Sequence, residues 1–220
     1  MRSLTKKQIR TLVLYAALIA IEAIFCFTPL GSIPIGPLVA TLAMIPVCIS
    51  AVLFGTVFGT VMGFVAGLFS FLVWTFSPPS FMAIAFTPFY PFELNGVQLG
   101  GNWWSIVICF VPRILAGTCA ALVFKAFVSK TDKKPLLITG AALAGITGSV
   151  VNTAGVLGGI ALFMNKEFTM IYADSAYGAT TVAAVIGVTI LTNAIPEAIL
   201  AGVITPAALP LKKLVDGKIS

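Results

Sequence analysis

Histidine is absent from the whole 220-residue chain. That removes the usual general base near neutral pH and the commonest nitrogen ligand for a metal. Acids are nearly as scarce, with seven Asp and Glu in all, and they form neither a paired acidic motif nor a nucleophile–base arrangement. The four cysteines, Cys26, Cys48, Cys109 and Cys119, fall in apolar stretches without metal-ligand spacing and read as small apolar packers. No Gly-x-x-x-x-Gly-Lys-Ser/Thr loop occurs, so the sequence offers no phosphate cradle for ATP. These absences argue against an enzyme, a metal centre or a resident cofactor.

What the sequence does have is apolar length. Charged residues make up 9% of the chain against 59% hydrophobic ones, and the mean hydropathy of +1.09 describes a lipid-facing chain rather than a soluble one. A nucleic-acid binder would need a basic face beyond the membrane, and no stretch is long enough to carry it. Crossing a hydrocarbon layer of ~30 Å takes about 20 helical residues, and strand alternation suited to a barrel is nowhere visible.

The expected fold is therefore an all-α integral membrane protein with six transmembrane helices in a single domain, 1–220. The spans are placed at Arg10 to Phe27, Pro37 to Phe54, Thr56 to Phe76, Trp104 to Phe127, Leu136 to Met164 and Ala183 to Leu209. Outer loops follow at Thr28 to Gly36, Ser77 to Trp103 and Asn165 to Val182; a tight link at Gly55 and the stretch Val128 to Pro135 form the inner ones. The basic start resembles a signal peptide, but the apolar run continues through Thr28, Pro29 and Leu30 with no small-residue cleavage site, so a retained helix is expected.

Charge sets the orientation. Arg2, Lys6, Lys7 and Arg10 precede the first span, Lys125, Lys130, Lys133 and Lys134 follow the fourth, and Lys212, Lys213 and Lys218 end the chain. All fall on one side, opposite Lys166, Glu93, Glu167 and Asp174, so the positive-inside rule places both termini in the cytoplasm of a multi-pass cell-membrane protein. The net charge of +6 is this topology signal.

Arg113 sits about halfway down the fourth span, where an arginine facing lipid would cost roughly 2.5–3.5 kcal/mol, so it is expected to face a partner, a cavity or a substrate. At 1.5 Å per residue it lies ~15 Å below the outer face, with Asn152, Asn193 and Glu197 at roughly 18, 15 and 21 Å. Asn193 and Glu197 are four apart and share a helix face. A polar pocket among spans four, five and six follows. The plainer alternative is that Arg113 and Glu197 neutralise each other while the asparagines bond helix to helix. Glu22, close to the outer end of the first span, fits either the pocket mouth or the headgroup zone.

The Ser77 to Trp103 loop carries Phe81, Phe86, Phe89, Tyr90, Phe92 and Trp103 among four prolines, which suits an interfacial aromatic belt or a lid over a small-molecule pocket. Asn95, Gln98 and Asn102 add hydrogen-bonding groups, and Trp74, Trp103 or Tyr90 offers a surface on which a flat ring would stack. The Pro- and Gly-rich segment 28–37 is expected to be non-helical and to gate a cavity. Gly55, Gly59, Gly63 and Gly67 form a small-residue stripe for close helix packing, and Ala16 and Ala20, with Ala17 and Ala23, form a weaker one on the first span.

Taken together, the six spans, the segment Ile33-Pro34-Ile35-Gly36-Pro37, the run Ala51-Val52-Leu53-Phe54-Gly55 leading into the glycine stripe, and Ala16-x-x-x-Ala20 resemble the substrate-binding S component of energy-coupling factor (ECF) vitamin transporters. The resemblance covers essentially the whole chain. Asn193-Ala194-Ile195-Pro196-Glu197-Ala198-Ile199 and Phe86-Thr87-Pro88-Phe89 look closest to the pantothenate-type members.

The resemblance implies a chain that binds a vitamin from outside and delivers it inward with the transmembrane coupling subunit EcfT and two cytoplasmic ATPases. It also implies that Ala16 and Ala20 contact EcfT. Pantothenate suits the pocket chemically: Arg113 would hold its carboxylate while Asn152 and Asn193 bond its amide and hydroxyls. Another vitamin, such as riboflavin or folate, and a stand-alone ion-coupled permease using Glu22 and Glu197 are the competing expectations.

Overall fold

The computed structural model describes residues 5–35, 38–78, 80–90, 92–94, 96–99, 102–128, 133–173, 187 and 190–216. Helix α1, Lys6–Phe27, opens with a capping box: the Thr5 hydroxyl accepts from the Gln8 amide, and the Thr5 amide donates to Gln8 Oε1 at 2.9 Å. It stops at Thr28, whose hydroxyl donates back to the Ile24 carbonyl at 2.6 Å. Gly31 follows at a close approach only glycine permits, since an added Cβ would lie 1.9 Å from the Phe25 carbonyl oxygen.

The chain then departs from the expected second span. Strands β1, Ser32–Ile35, and β2, Leu38–Thr41, pair antiparallel from Ser32↔Thr41 to Ile35↔Leu38, and helix α2 runs only over Met44–Phe54. Eleven residues rise about 16 Å, roughly half the hydrocarbon thickness. The apolar run Leu38–Leu42 is short enough to suit either strand or helix, and pairing with the segment before it satisfies its backbone groups. The first loop, expected to be non-helical, opens with a 3-10 turn at Pro29–Gly31 before β1, and the strand beyond Pro37 was not legible.

Gly55, at φ 91°, turns α2 directly into α3, Thr56–Phe76. The next connection holds a 3-10 turn, Phe81–Ala85, and a second hairpin, β3, Phe92–Leu94, with β4, Val97–Leu99. Helices α4, Trp104–Val128, and α5, Lys134–Phe163, form the longest pair. The stretch placed as the third outer loop begins with helix α6, Asn165–Ala173; its remainder lies outside the described residues. The last span enters the described residues as a π-turn, Ile190–Ala194, continues as α7, Ile195–Ala207, and is followed by α8, Leu209–Asp216.

Five of these segments are long and apolar enough to cross a membrane, and α2 is the shorter apolar sixth. The protein is an all-α membrane bundle, with two small hairpins among the described residues. Its packing runs on small residues, because helices in lipid associate by close backbone approach. Added Cβ atoms at Gly59 and Gly63 would come within 2.8 and 2.2 Å of the Gly117 and Arg113 carbonyl oxygens, so the glycine stripe seats α3 against α4. Gly55 stands apart from that stripe, serving the turn. Across the molecule Gly155 meets Pro112, Gly159 meets Ile108, and Gly145 meets the Ala201 carbonyl, which locks α5 between α4 and α7.

Candidate functional site

The same contacts place the polar side chains by level. An added Cβ at Gly148 would meet Cys48 at 2.5 Å and the Ala116 carbonyl at 3.5 Å, and Gly155 faces Pro112, so Asn152, midway between the two glycines on α5, stands at about the level of Arg113 on α4. Gly145 faces Ala201, and the antiparallel α5–α7 register then sets Asn193 opposite Asn152, with Glu197 one turn nearer the end that holds the termini. Tyr15 donates to the Phe58 carbonyl and Phe27 packs on Phe69, so α1 and α3 run parallel and Glu22 falls between the levels of Gly63 and Gly67. Gly63 in turn touches Arg113. Glu22, Arg113, Asn152, Asn193 and Glu197 therefore occupy one layer.

Within it Arg113 is buried, 8% exposed, and its Nη1 donates to the Cys109 carbonyl one turn away. The guanidinium carbon lies 5.1 Å from the centroid of Phe86, whose ring stacks on Trp74 at 5.0 Å. Phe86 belongs to the long loop, yet Ala83, Ile84, Ala85 and Thr87 around it are fully buried. The Ser105 hydroxyl donates to the Ile84 carbonyl at 2.7 Å, and Thr75 donates to Thr87 at 2.8 Å. These bonds tie the loop to α4 and α3, so the 81–87 segment forms an inserted roof above the arginine.

Glu22 is completely enclosed, so the headgroup-zone alternative gives way to an interior position. The Cys26 thiol donates to its Oε1 at 3.4 Å, Oε2 has no hydrogen-bond partner, and Arg113 lies within electrostatic range. Asn152 Oδ1 is likewise enclosed without a partner. Asn193 is half-buried and its Nδ2 donates to Thr192 at 3.3 Å; Glu197 is 8% exposed.

The remaining candidates lie elsewhere or partly so. Trp74 joins the layer through Phe86, whereas Gln98 on β4 is exposed and Trp103 is 67% exposed, edge-on to Phe89 at 6.1 Å. Asn95 lies outside the described residues. Sequence reasoning gave Phe86 only as one of several aromatics in a belt or a lid, and left Glu22 undecided. The signal for Phe86 was its place in an aromatic, proline-rich loop; nothing local indicated that this loop enters the bundle.

Apolar helices packed around a buried arginine, with further polar side chains at its level among the described residues, make this a multi-pass cell-membrane protein. Residues 10–209 match the family of ECF transporter substrate-specific components, and the chain belongs to that family. It is also 29% identical over 176 residues, covering 79% of this chain and 78% of the relative, to the pantothenic acid transporter PanT of Lactococcus lactis subsp. cremoris (strain MG1363).

Proposed function

We propose that this S component is a single membrane domain that binds pantothenate in the Arg113 layer and delivers it inward with EcfT and two ATPases. The observation that carries the substrate reading is the buried guanidinium of Arg113 beneath the Phe86 ring, at one level with two side-chain amides. A carboxylate is the group such a fork recognises, through charge-assisted and bidentate hydrogen bonds. Asn152, with an enclosed and unpartnered Oδ1, is placed to accept from a hydroxyl or amide N–H of the ligand. The similarity to the lactococcal pantothenic acid transporter agrees with this choice.

Both termini lie in the cytoplasm, in keeping with the eleven basic residues on their side of the sequence. Coupling uses the outer face of α1, where Ala16 and Ala20 are exposed alongside Val13 and Ile24. Vitamin chemistry then stays with this chain and ATP hydrolysis with its partners.

The test is binding of labelled pantothenate, riboflavin and folate to the purified chain in detergent, without partners. Saturable binding of pantothenate alone supports the assignment. Selective binding of another vitamin overturns the substrate, and uptake by cells lacking the coupling subunit, driven by a proton gradient, overturns the S-component mechanism in favour of a stand-alone carrier.

A further inference from the structure

A cavity of about 680 Å³ opens at the end of the bundle that carries the termini, away from the Phe86 roof. Five elements converge on it: the start of α1, the end of α2, the start of α3, the end of α4, and α8. Three ammonium groups line it, those of Lys7, Lys125 and Lys212, and among the described residues no carboxylate does. Its other walls are mainly apolar, with Phe54, Phe58 and Phe124 among them, and Thr11 and Thr56 add two hydroxyls.

We propose that this cavity binds the phosphate headgroup of an anionic phospholipid from the leaflet on the side of the termini. The charge balance is the first support. Lys212 Nζ bonds the Val52 and Leu53 carbonyls, at 3.4 Å each, so the negative end of α2 is already covered and does not repel an anion. Helix α3 starts in the same cavity, and its N-cap, Gly55, has no side chain to bond the first-turn N–H groups. Free N–H groups at a helix start attract phosphate, and Lys7 and Lys125, both exposed, are available to it.

The apolar walls distinguish a lipid from a dissolved anion. Val57, between two lining residues, is 73% exposed, and Val61, one turn further along α3, is 45% exposed. Acyl chains descending from a headgroup in the cavity would lie along this face. Basic pockets between membrane helices are suited to such headgroups, each lysine adding to the attraction. The assignment stands apart from which vitamin the chain carries.

Native mass spectrometry of the delipidated full chain tests it, with titration of dioleoyl phosphatidylglycerol and dioleoyl phosphatidylcholine. The wild type is expected to bind one phosphatidylglycerol about tenfold or more tightly than phosphatidylcholine, and Lys7→Gln/Lys125→Gln to lose that preference while keeping the wild-type melting temperature. Lys6→Gln/Lys134→Gln, an equal charge loss at the same end outside the cavity, is expected to keep it. Equal binding of the two lipids, or an equal loss in both variants, overturns the proposal. So does displacement of phosphatidylglycerol by inorganic phosphate at matched concentration, which marks a free-anion site. If the Lys7/Lys125 variant kept its lipid preference but no longer copurified with the coupling subunit, the cavity would be a protein-docking surface and the lipid assignment would fall.

Discussion

Arg113 has a distinct environment on each side: Phe86 above, the Cys109 carbonyl on its own helix, and Glu22 within electrostatic range. If it anchors a carboxylate, Arg113→Ala removes a charge-assisted pair of bonds worth roughly 1.5–3 kcal/mol each. Pantothenate affinity should then fall at least about tenfold, read by equilibrium binding in detergent. Arg113→Lys should recover only part of this, because an ammonium keeps the charge but loses the planar fork. Wild-type affinity in Arg113→Ala would mean the carboxylate binds elsewhere. Phe86→Ala strips the ring from the guanidinium and admits water, so a smaller loss, about threefold to tenfold, is expected from a cation–π contact of ~1 kcal/mol. The arginine's burial was legible in the sequence because its cost in lipid follows from position alone. A lid from the aromatic loop was one of two expectations, but which ring covers the arginine was not legible, since Phe86 is placed by hydroxyl bonds from Ser105 and Thr75 to the 84–87 segment, long-range contacts without local periodicity.

Helices are where sequence and structure agree most closely, and the reason is physical: a backbone in lipid must satisfy its own hydrogen bonds, which makes an apolar run of 20 residues nearly unambiguous. The third span was read at the bounds α3 adopts, and the glycine spacing correctly implied close packing within the chain. Legibility failed where that constraint relaxes. Leu38–Thr41 pairs as a strand because Ser32–Ile35 supplies its hydrogen bonds, and Asn165–Ala173 forms a helix beyond the span itself. Helical arithmetic put Arg113, Asn152, Asn193 and Glu197 at similar depths, but it left Glu22 undecided, because position along α1 does not say which face packs inward. Gly63 links packing to the site, since its Cα faces the Arg113 carbonyl. A methyl there would sit 2.2 Å from that backbone oxygen, so α3 and α4 must separate. Gly63→Ala is expected to lower the melting temperature in detergent, with a cost of about 1–3 kcal/mol, and to weaken pantothenate binding by moving Arg113. Gly158, whose added Cβ meets nothing within 4 Å, is the matched control on α5; Gly158→Ala should leave both measurements near wild type.

The bundle as a whole is unevenly closed. Interior contacts concentrate on α4 and α5, while α1 buries only 11% of its most apolar window inside the protein. Leu18 and Glu22 are its buried residues, and Val13, Ala16, Ala20 and Ile24 occupy an exposed face. The polar layer and this face lie on opposite aspects of one helix: Glu22 points inward, and Ala16 and Ala20 remain available outward. Such a division lets a partner seat against α1 without entering the site. The small side chains matter because they permit close backbone approach, which is how helices gain contact energy in lipid. Ala16→Leu/Ala20→Leu would hold a partner helix away while adding apolar surface that lipid accommodates freely. Binding of pantothenate by the isolated double variant should stay within about twofold of wild type, since no residue of the polar layer is touched. ATP-dependent uptake by proteoliposomes containing the variant, the coupling subunit and both ATPases should fall about tenfold or more, as the docking contact is lost. A variant with normal binding and normal uptake would show that the coupling subunit grips another surface; a variant that lost binding as well would show that the outer face of α1 and the site are mechanically one.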